Sequence, residues 1–110
     1  MKLMVLSCAE QEFVEAVDYY NGECPGLGYE FADEVRQSFA RINKFPEAWP
    51  SFSPNSRRCL IDRFPYGVLY QVREDCILIG AIMHLKKETQ RWQERLEDGF
   101  GEQGSPADAG

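Results

Sequence analysis

The stretch RRCLIDRFPYGVLYQVREDCILIGAIMH, residues 57–84, decides the fold. It holds three strand-like runs, Arg57 to Phe64, Tyr66 to Arg73 and Cys76 to His84, rich in the β-branched and aromatic residues that suit a pleated surface. Only Glu74 and Asp75 separate the second run from the third, which is a hairpin signature. Cys59, Ile61, Val68, Tyr70, Val72, Ile77, Ile79 and Ala81 alternate with residues of the opposite face. Leu60, Leu69, Leu78 and Ile82 make that opposite face apolar too, so both faces are expected to be partly covered.

Upstream, Pro46 to Pro54 carries Trp49 and Phe52 between prolines without helical or strand rhythm, and reads as an extended connector whose aromatics pack on helix ends. From Leu27 to Phe45 the apolar positions Leu27, Phe31, Val35, Phe39 and Ile42 keep helical spacing until Pro46 ends the helix. An earlier helix is marked by Phe13, Val14, Val17 and Tyr20, with Ser7 and Glu10 at the spacing of a capping box and a stop at Asn21-Gly22. Glu10, Glu12 and Glu15 fall in its first turns, where negative charge suits the helix dipole. Cys24-Pro25-Gly26-Leu27-Gly28 is a tight reversal, which makes the two helices antiparallel neighbours. Met1 to Ser7 reads as a first strand. The order strand, helix, helix, strand, strand, strand implies an α+β fold in two layers, a helical hairpin packed on one face of a largely antiparallel sheet.

At 110 residues and 44% apolar content, with seven Phe, five Tyr and two Trp, the chain can bury one hydrophobic core. One domain is expected over residues 1–96. The Gly-, Ser-, Pro- and acid-containing segment 97–110 reads as a flexible tail. Leu3 to Leu6 is too short for a membrane span or the core of a secretion signal, so a cytoplasmic protein without membrane contact is expected. Cys8, Cys24, Cys59 and Cys76 are spaced 16, 35 and 17 residues apart, and His84 is the one histidine. Neither spacing offers the close ligand pairs of a metal or redox site, so no metal and no cofactor are expected.

The net charge of −6 is uneven. Residues 1–50 carry nine acids against four bases, residues 51–95 eight bases against five acids, and residues 96–110 four acids. One basic segment therefore sits within an acidic protein. The overall balance argues against indiscriminate nucleic-acid binding, which draws on a broad basic surface, but leaves room for a local site.

The basic segment contains two clusters: Arg57, Arg58 and Arg63, and then His84, Lys86, Lys87, Arg91 and Arg95 around Trp92. Arg57 and Arg63 share a strand parity if no bulge intervenes, and Lys87, Arg91 and Arg95, spaced by four, would form one stripe of a C-terminal helix. Two readings stand side by side. In the first these are solvated charges or local ion pairs to Glu88 and Glu94, Trp92 anchors the C-terminal segment, and Tyr66, Tyr70 and His84 are structural. In the second the arginines stabilise a phosphate in transition while Tyr66, Tyr70 or His84 moves a proton, with the 2′-hydroxyl of RNA as nucleophile and no metal required. No serine lies in a nucleophile elbow, and Pro25-Gly26-Leu27-Gly28 lacks the strand and lysine of a phosphate loop.

Several phrases resemble the RelE/ParE toxin superfamily, particularly its ParE-like, plasmid-stabilisation branch, over about residues 3–95. They are Glu12, Ala16 and Tyr19-Tyr20; Gly26-Leu27-Gly28 followed by Phe31; Pro46; and Arg57-Arg58 leading to Arg63-Phe64-Pro65-Tyr66. In the C-terminal phrase of that branch His84, Trp92 and Arg95 match, whereas Lys87, Thr89 and Arg91 stand where arginine, proline and tyrosine are usual. The resemblance implies a RelE-like fold and the toxin of a type II toxin-antitoxin pair, covered by a cognate antitoxin. It implies either a gyrase-binding, ParE-like toxin or a ribosome-dependent messenger-RNA endoribonuclease; a non-toxic interaction module and a homo-oligomer stay open. The acidic balance favours gyrase as target, with Lys87, Arg91, Trp92 and Arg95 as target-binding residues. Arg57, Arg58, Arg63, Tyr66 and His84 would be catalytic only in the endoribonuclease.

Overall fold

Leu6 is where the chain leaves the sheet, and its backbone explains the start of the first helix. In the computed structural model, which describes residues 1–86 and 89–98, the order is β1 (Lys2–Val5), α1 (Ser7–Glu23), α2 (Leu27–Lys44), β2 (Ser51–Ser53), β3 (Ser56–Leu60), β4 (Tyr66–Val72), β5 (Cys76–His84) and α3 (Thr89–Asp98). The extended Leu6 spends its N–H on the Ile79 carbonyl and so becomes the N-cap itself. Ser7 is already helical, and no side chain caps α1, contrary to the capping-box expectation.

The strands form one sheet in the order β1-β5-β4-β3-β2, with β1 parallel to β5 and all other neighbours antiparallel. The α+β class and the helical hairpin on a largely antiparallel sheet are as expected. Three details differ. The connector contributes a short strand, β2, at the sheet edge, bracketed by Pro50 and Pro54, which confine pairing because proline gives no N–H to a ladder. The first run ends at Leu60 instead of Phe64, because Arg63 adopts a left-handed φ of 72° and Pro65 follows. And β5 carries a bulge: Ala81 pairs with Leu69 and Ile79 with Tyr70, leaving Gly80 unopposed. Past the bulge Ile82 and His84, not Ala81, join the face of Ile77 and Ile79.

The reversal between α1 and α2 depends on two glycines. Gly26 sits at φ 90°, open to glycine without strain, and Gly28 packs so closely on α1 that a Cβ there would lie 2.2 Å from the Val17 carbonyl oxygen. The Gly28 N–H donates to Asn21 Oδ1 at 2.8 Å. Phe31, Val35 and Ile42 of α2 are buried as their spacing predicts. On α1 the buried positions are Ala9, Glu12 and Ala16, while Val14 is half exposed, since this helix must face both the sheet and α2.

Trp92 of α3 is 2% exposed and packs on Phe52, which lies beneath Arg58. Arg58, Leu69 and Ala81 stand opposite one another in register, on the face turned away from the helical hairpin. Both faces of the sheet are therefore covered. The tail expected from residue 97 overlaps the end of α3, and residues 99–110 lie outside the described residues. Among the described residues no helix is long and apolar enough to cross a membrane. The four cysteines are free thiols, Cys59 and Cys76 buried and Cys24 exposed.

Tyr70, fully buried, donates from its hydroxyl to the Pro46 carbonyl at 2.6 Å and so ties the connector to the core. Burial pushes its phenol up to about 12, against a smaller pull from the Arg57 guanidinium. An acid with a raised folded-state pKa keeps its proton where the unfolded chain has lost it. Stability is thus fully present below pH 10 and should fall by about 1.4 kcal/mol per unit toward pH 12. Tyr70→Phe should flatten that alkaline limb in urea unfolding followed against pH. Gly28→Ala should cost roughly 1–3 kcal/mol by overpacking, whereas Gly22→Ala, with open space around its Cβ, should be neutral or gain up to about 1 kcal/mol; thermal melts of the two variants check this pair.

Candidate functional site

Tyr66 opens β4 and His84 closes β5, and the antiparallel register sets them directly opposite one another. Their rings lie 5.3 Å apart, close to edge-on at 72°. Tyr20 comes down from α1 to within 6.0 Å of Tyr66 and 4.9 Å of Phe64, and Phe31 from α2 completes the aromatic floor. Above this floor opens a cleft of about 450 Å³, walled by Tyr19, Tyr20, Tyr66, His84, Glu12, Glu15 and Arg91. Tyr19 is 53% exposed at its rim. Burial, with a smaller contribution from Tyr19, raises the Tyr20 phenol. His84 Nδ1 accepts the Lys86 backbone N–H at 3.1 Å, which puts the proton of a neutral ring on Nε2.

Glu12 organises the wall beside α1. Because β1 stops at Val5, the second half of β5 has no strand on that side, and its backbone is satisfied by side chains instead. Glu12 Oε1 accepts the Ile82 N–H at 3.0 Å. Arg95, arriving from α3, donates to Glu12 Oε2 at 2.8 Å and to the carbonyl of the bulged Gly80 at 2.6 Å. The two side chains are only 7% and 11% exposed, so the pair is shielded from water. Arg91 approaches the same carboxylate at 3.8 Å from a more open position.

The candidate residues named from the sequence are dispersed. Arg57 donates to the Trp49 and Glu47 carbonyls at the far end of β3. Arg58 lies on the opposite face, 4.8 Å above the Phe52 ring. Arg63 sits in the loop after β3, not on a strand face with Arg57, and its guanidinium binds Glu30 at 2.6 Å and Glu34 at 3.4 Å on α2. These two carboxylates raise its already high pKa. Tyr66 and His84 do meet, and Arg91 joins them. Trp92 and Arg95 are held inside the molecule, and Lys87 lies outside the described residues. The Arg91 and Arg95 stripe exists as its spacing predicts, but its partner is Glu12, far away in sequence. Glu12 carried a signal, a carboxylate interrupting the small-residue series Ala9, Ala16 at helical spacing.

The cleft can hold and release a proton at Tyr66 or His84, but its two carboxylates, Glu12 and Glu15, offset its one guanidinium, Arg91. Among the described lining residues a phosphate would meet no excess of positive charge. Among the described residues no three His, Cys, Asp or Glu side chains gather as metal ligands.

The family model described as ParE toxin of type II toxin-antitoxin system, parDE, matches residues 6–89. The chain belongs to the ParE toxin family. A solved structure described as the chromosomal ParDE TA system from P. aeruginosa shares the fold with a TM-score of 0.70 at 18% identity, covering 78% of this chain and 97% of that one. No curated protein sequence matches. The family match reaches from the end of β1 to the first residue of α3. Most of the cleft wall therefore belongs to the matched ParE region, while Arg91, Trp92 and Arg95 lie beyond it.

Removing one partner of a shielded ion pair leaves the other charge buried. Glu12→Ala should cost about 3–5 kcal/mol in urea unfolding, and Glu12→Gln less, since the amide oxygen still serves the Ile82 N–H. A loss under about 1 kcal/mol for Glu12→Ala would contradict the role given to this carboxylate.

Proposed function

We propose that this ParE-family toxin arrests growth by binding DNA gyrase, without making or breaking a bond itself, and that a cognate antitoxin neutralises it by covering the helical hairpin and sheet. The observation that carries this reading is the scatter of the arginines. Phosphodiester cleavage needs positive charge placed where the transition-state phosphate forms, together with proton-transfer groups. Arg57, Arg58 and Arg63 instead bind carbonyls, an aromatic ring and two carboxylates, at three separate places. The acidic net charge of −6 likewise suits a protein target better than a polynucleotide. In this reading Arg91, exposed on α3 at the mouth of the cleft, contacts the target, while Trp92 and Arg95 hold α3 in place. Lys87, outside the described residues, is assigned to the same target contact from the sequence alone.

The second reading is ribosome-dependent cleavage of messenger RNA, favoured by the meeting of Tyr66, His84 and Arg91 in one cleft. The two separate experimentally. Induction of the chain alone should stop bacterial growth, and the purified protein should inhibit gyrase in a supercoiling assay. Arg91→Gln should weaken that inhibition about tenfold while lowering the melting temperature only slightly, since its contact with Glu12 is long and half exposed, and Tyr66→Phe and His84→Gln should leave the inhibition intact. Messages cut during translation, with cutting lost in His84→Gln, would replace gyrase by RNA as target. No arrest and no inhibition would leave only an interaction module.

A further inference from the structure

Arginine pairing in this protein is nearly systematic. Arg36, Arg41, Arg63, Arg91 and Arg95 each lie within 4 Å of a carboxylate, and Arg58 is stacked on Phe52. Among the described residues the two exceptions, Arg57 and Arg73, line the same cleft. It measures about 380 Å³ and opens at the end of the sheet opposite the Tyr66–His84 cleft, where β4 runs on past its last β3 pair, Arg57 with Tyr70.

We propose that this cleft is a binding site for the phosphoryl group of a small phosphorylated molecule. Among the described residues Arg57 donates through Nη1 alone, to the Glu47 and Trp49 carbonyls, so Nη2 and Nε remain to donate. Those carbonyls also fix its guanidinium in place. Arg73 binds the neutral Gln71 Oε1 through Nε and Nη2, which orients its fork and leaves Nη1 available. Ser51 at the start of β2 and Asn55 in the β2–β3 turn, both exposed, add neutral donors to the lining. Glu47 contributes the one carboxylate of the lining, so two guanidinium groups outweigh it. Planar forks of this kind match the oxygens of phosphate in pairs. The cleft has the size of a small-ligand site. A long polyanion, by contrast, would meet the repulsion of an acidic molecule with net charge −6.

Calorimetric titration of the full chain with inorganic phosphate and with pyrophosphate tests the assignment. Both should bind with one-to-one stoichiometry, pyrophosphate more tightly. Arg73→Gln, an exposed change, and Ser51→Asp, which sets a carboxylate in the cleft, should each weaken binding about tenfold with unchanged melting temperature. Arg36→Gln, on the opposite layer, should leave it unaltered. Absence of binding by either anion overturns the proposal, as does binding indifferent to Arg73→Gln and Ser51→Asp. Binding of a DNA duplex without binding of pyrophosphate overturns it too.

Discussion

Glu12 closes an edge that the sheet leaves open. A strand with neighbours on one side only presents N–H and C=O groups that either find partners or invite other chains. β1 pairs with β5 up to Val5 and Ile79, and then the chain turns away into α1. The remaining half of β5 would stand bare. One carboxylate takes the Ile82 N–H, one guanidinium takes the Gly80 carbonyl, and the two bind each other. That single contact joins α1, β5 and α3, elements that start 82 residues apart in sequence, Ser7 to Thr89. It also sets the depth of the Tyr66–His84 cleft, because Glu12 forms its wall and draws Arg91 to its mouth.

The bulge at Gly80 belongs to the same arrangement. Without the extra residue, the carbonyl that Arg95 reaches would belong to a regular ladder, and Ala81 would take the inner face. With it, Ile82 turns inward beneath α1 and His84 comes opposite Tyr66. The placement of the one histidine beside a tyrosine thus follows from a one-residue irregularity four residues earlier in the sequence.

The helical hairpin was legible because periodicity and punctuation agree: Phe31, Val35 and Ile42 recur at helical spacing, Gly26 and Gly28 mark the reversal, and Pro46 marks the stop. The hairpin of β4 and β5 was legible from two charged residues between apolar runs. β2 was not, since three residues between prolines have no period to read. Nor was the bulge, because a lone glycine in an apolar run has several meanings. The site was legible only in part. Register brings Tyr66 and His84 together, and strand assignments contain that information in principle. The arginines were misleading for a physical reason: parity along a strand says which face a side chain leaves from, not which long-range partner claims its charge. Arg63 left the strand altogether through its left-handed backbone, and Arg95 found a carboxylate 83 residues away.

The uneven charge of the chain is resolved by folding. Arg63, Arg91 and Arg95 come from the basic segment, and their carboxylates, Glu30, Glu34 and Glu12, come from the acidic first half. Three of the eight bases of the basic segment are therefore counter-charge to the helical hairpin. A nucleic-acid footprint gains its energy by releasing counterions from many phosphates at once, which needs many arginines and lysines unpaired on one surface. Here α1 leaves Glu10, Glu15, Asp18 and Glu23 facing solvent, so the outward side of α1 is acidic, with Glu15 on the cleft itself. A partner for that side must bring apolar or basic groups of its own, as a protein does and a polynucleotide does not. Recognition of phosphate is then confined to places where guanidinium groups escape pairing, and Arg57 and Arg73 share the one cleft among the described residues where two do so together.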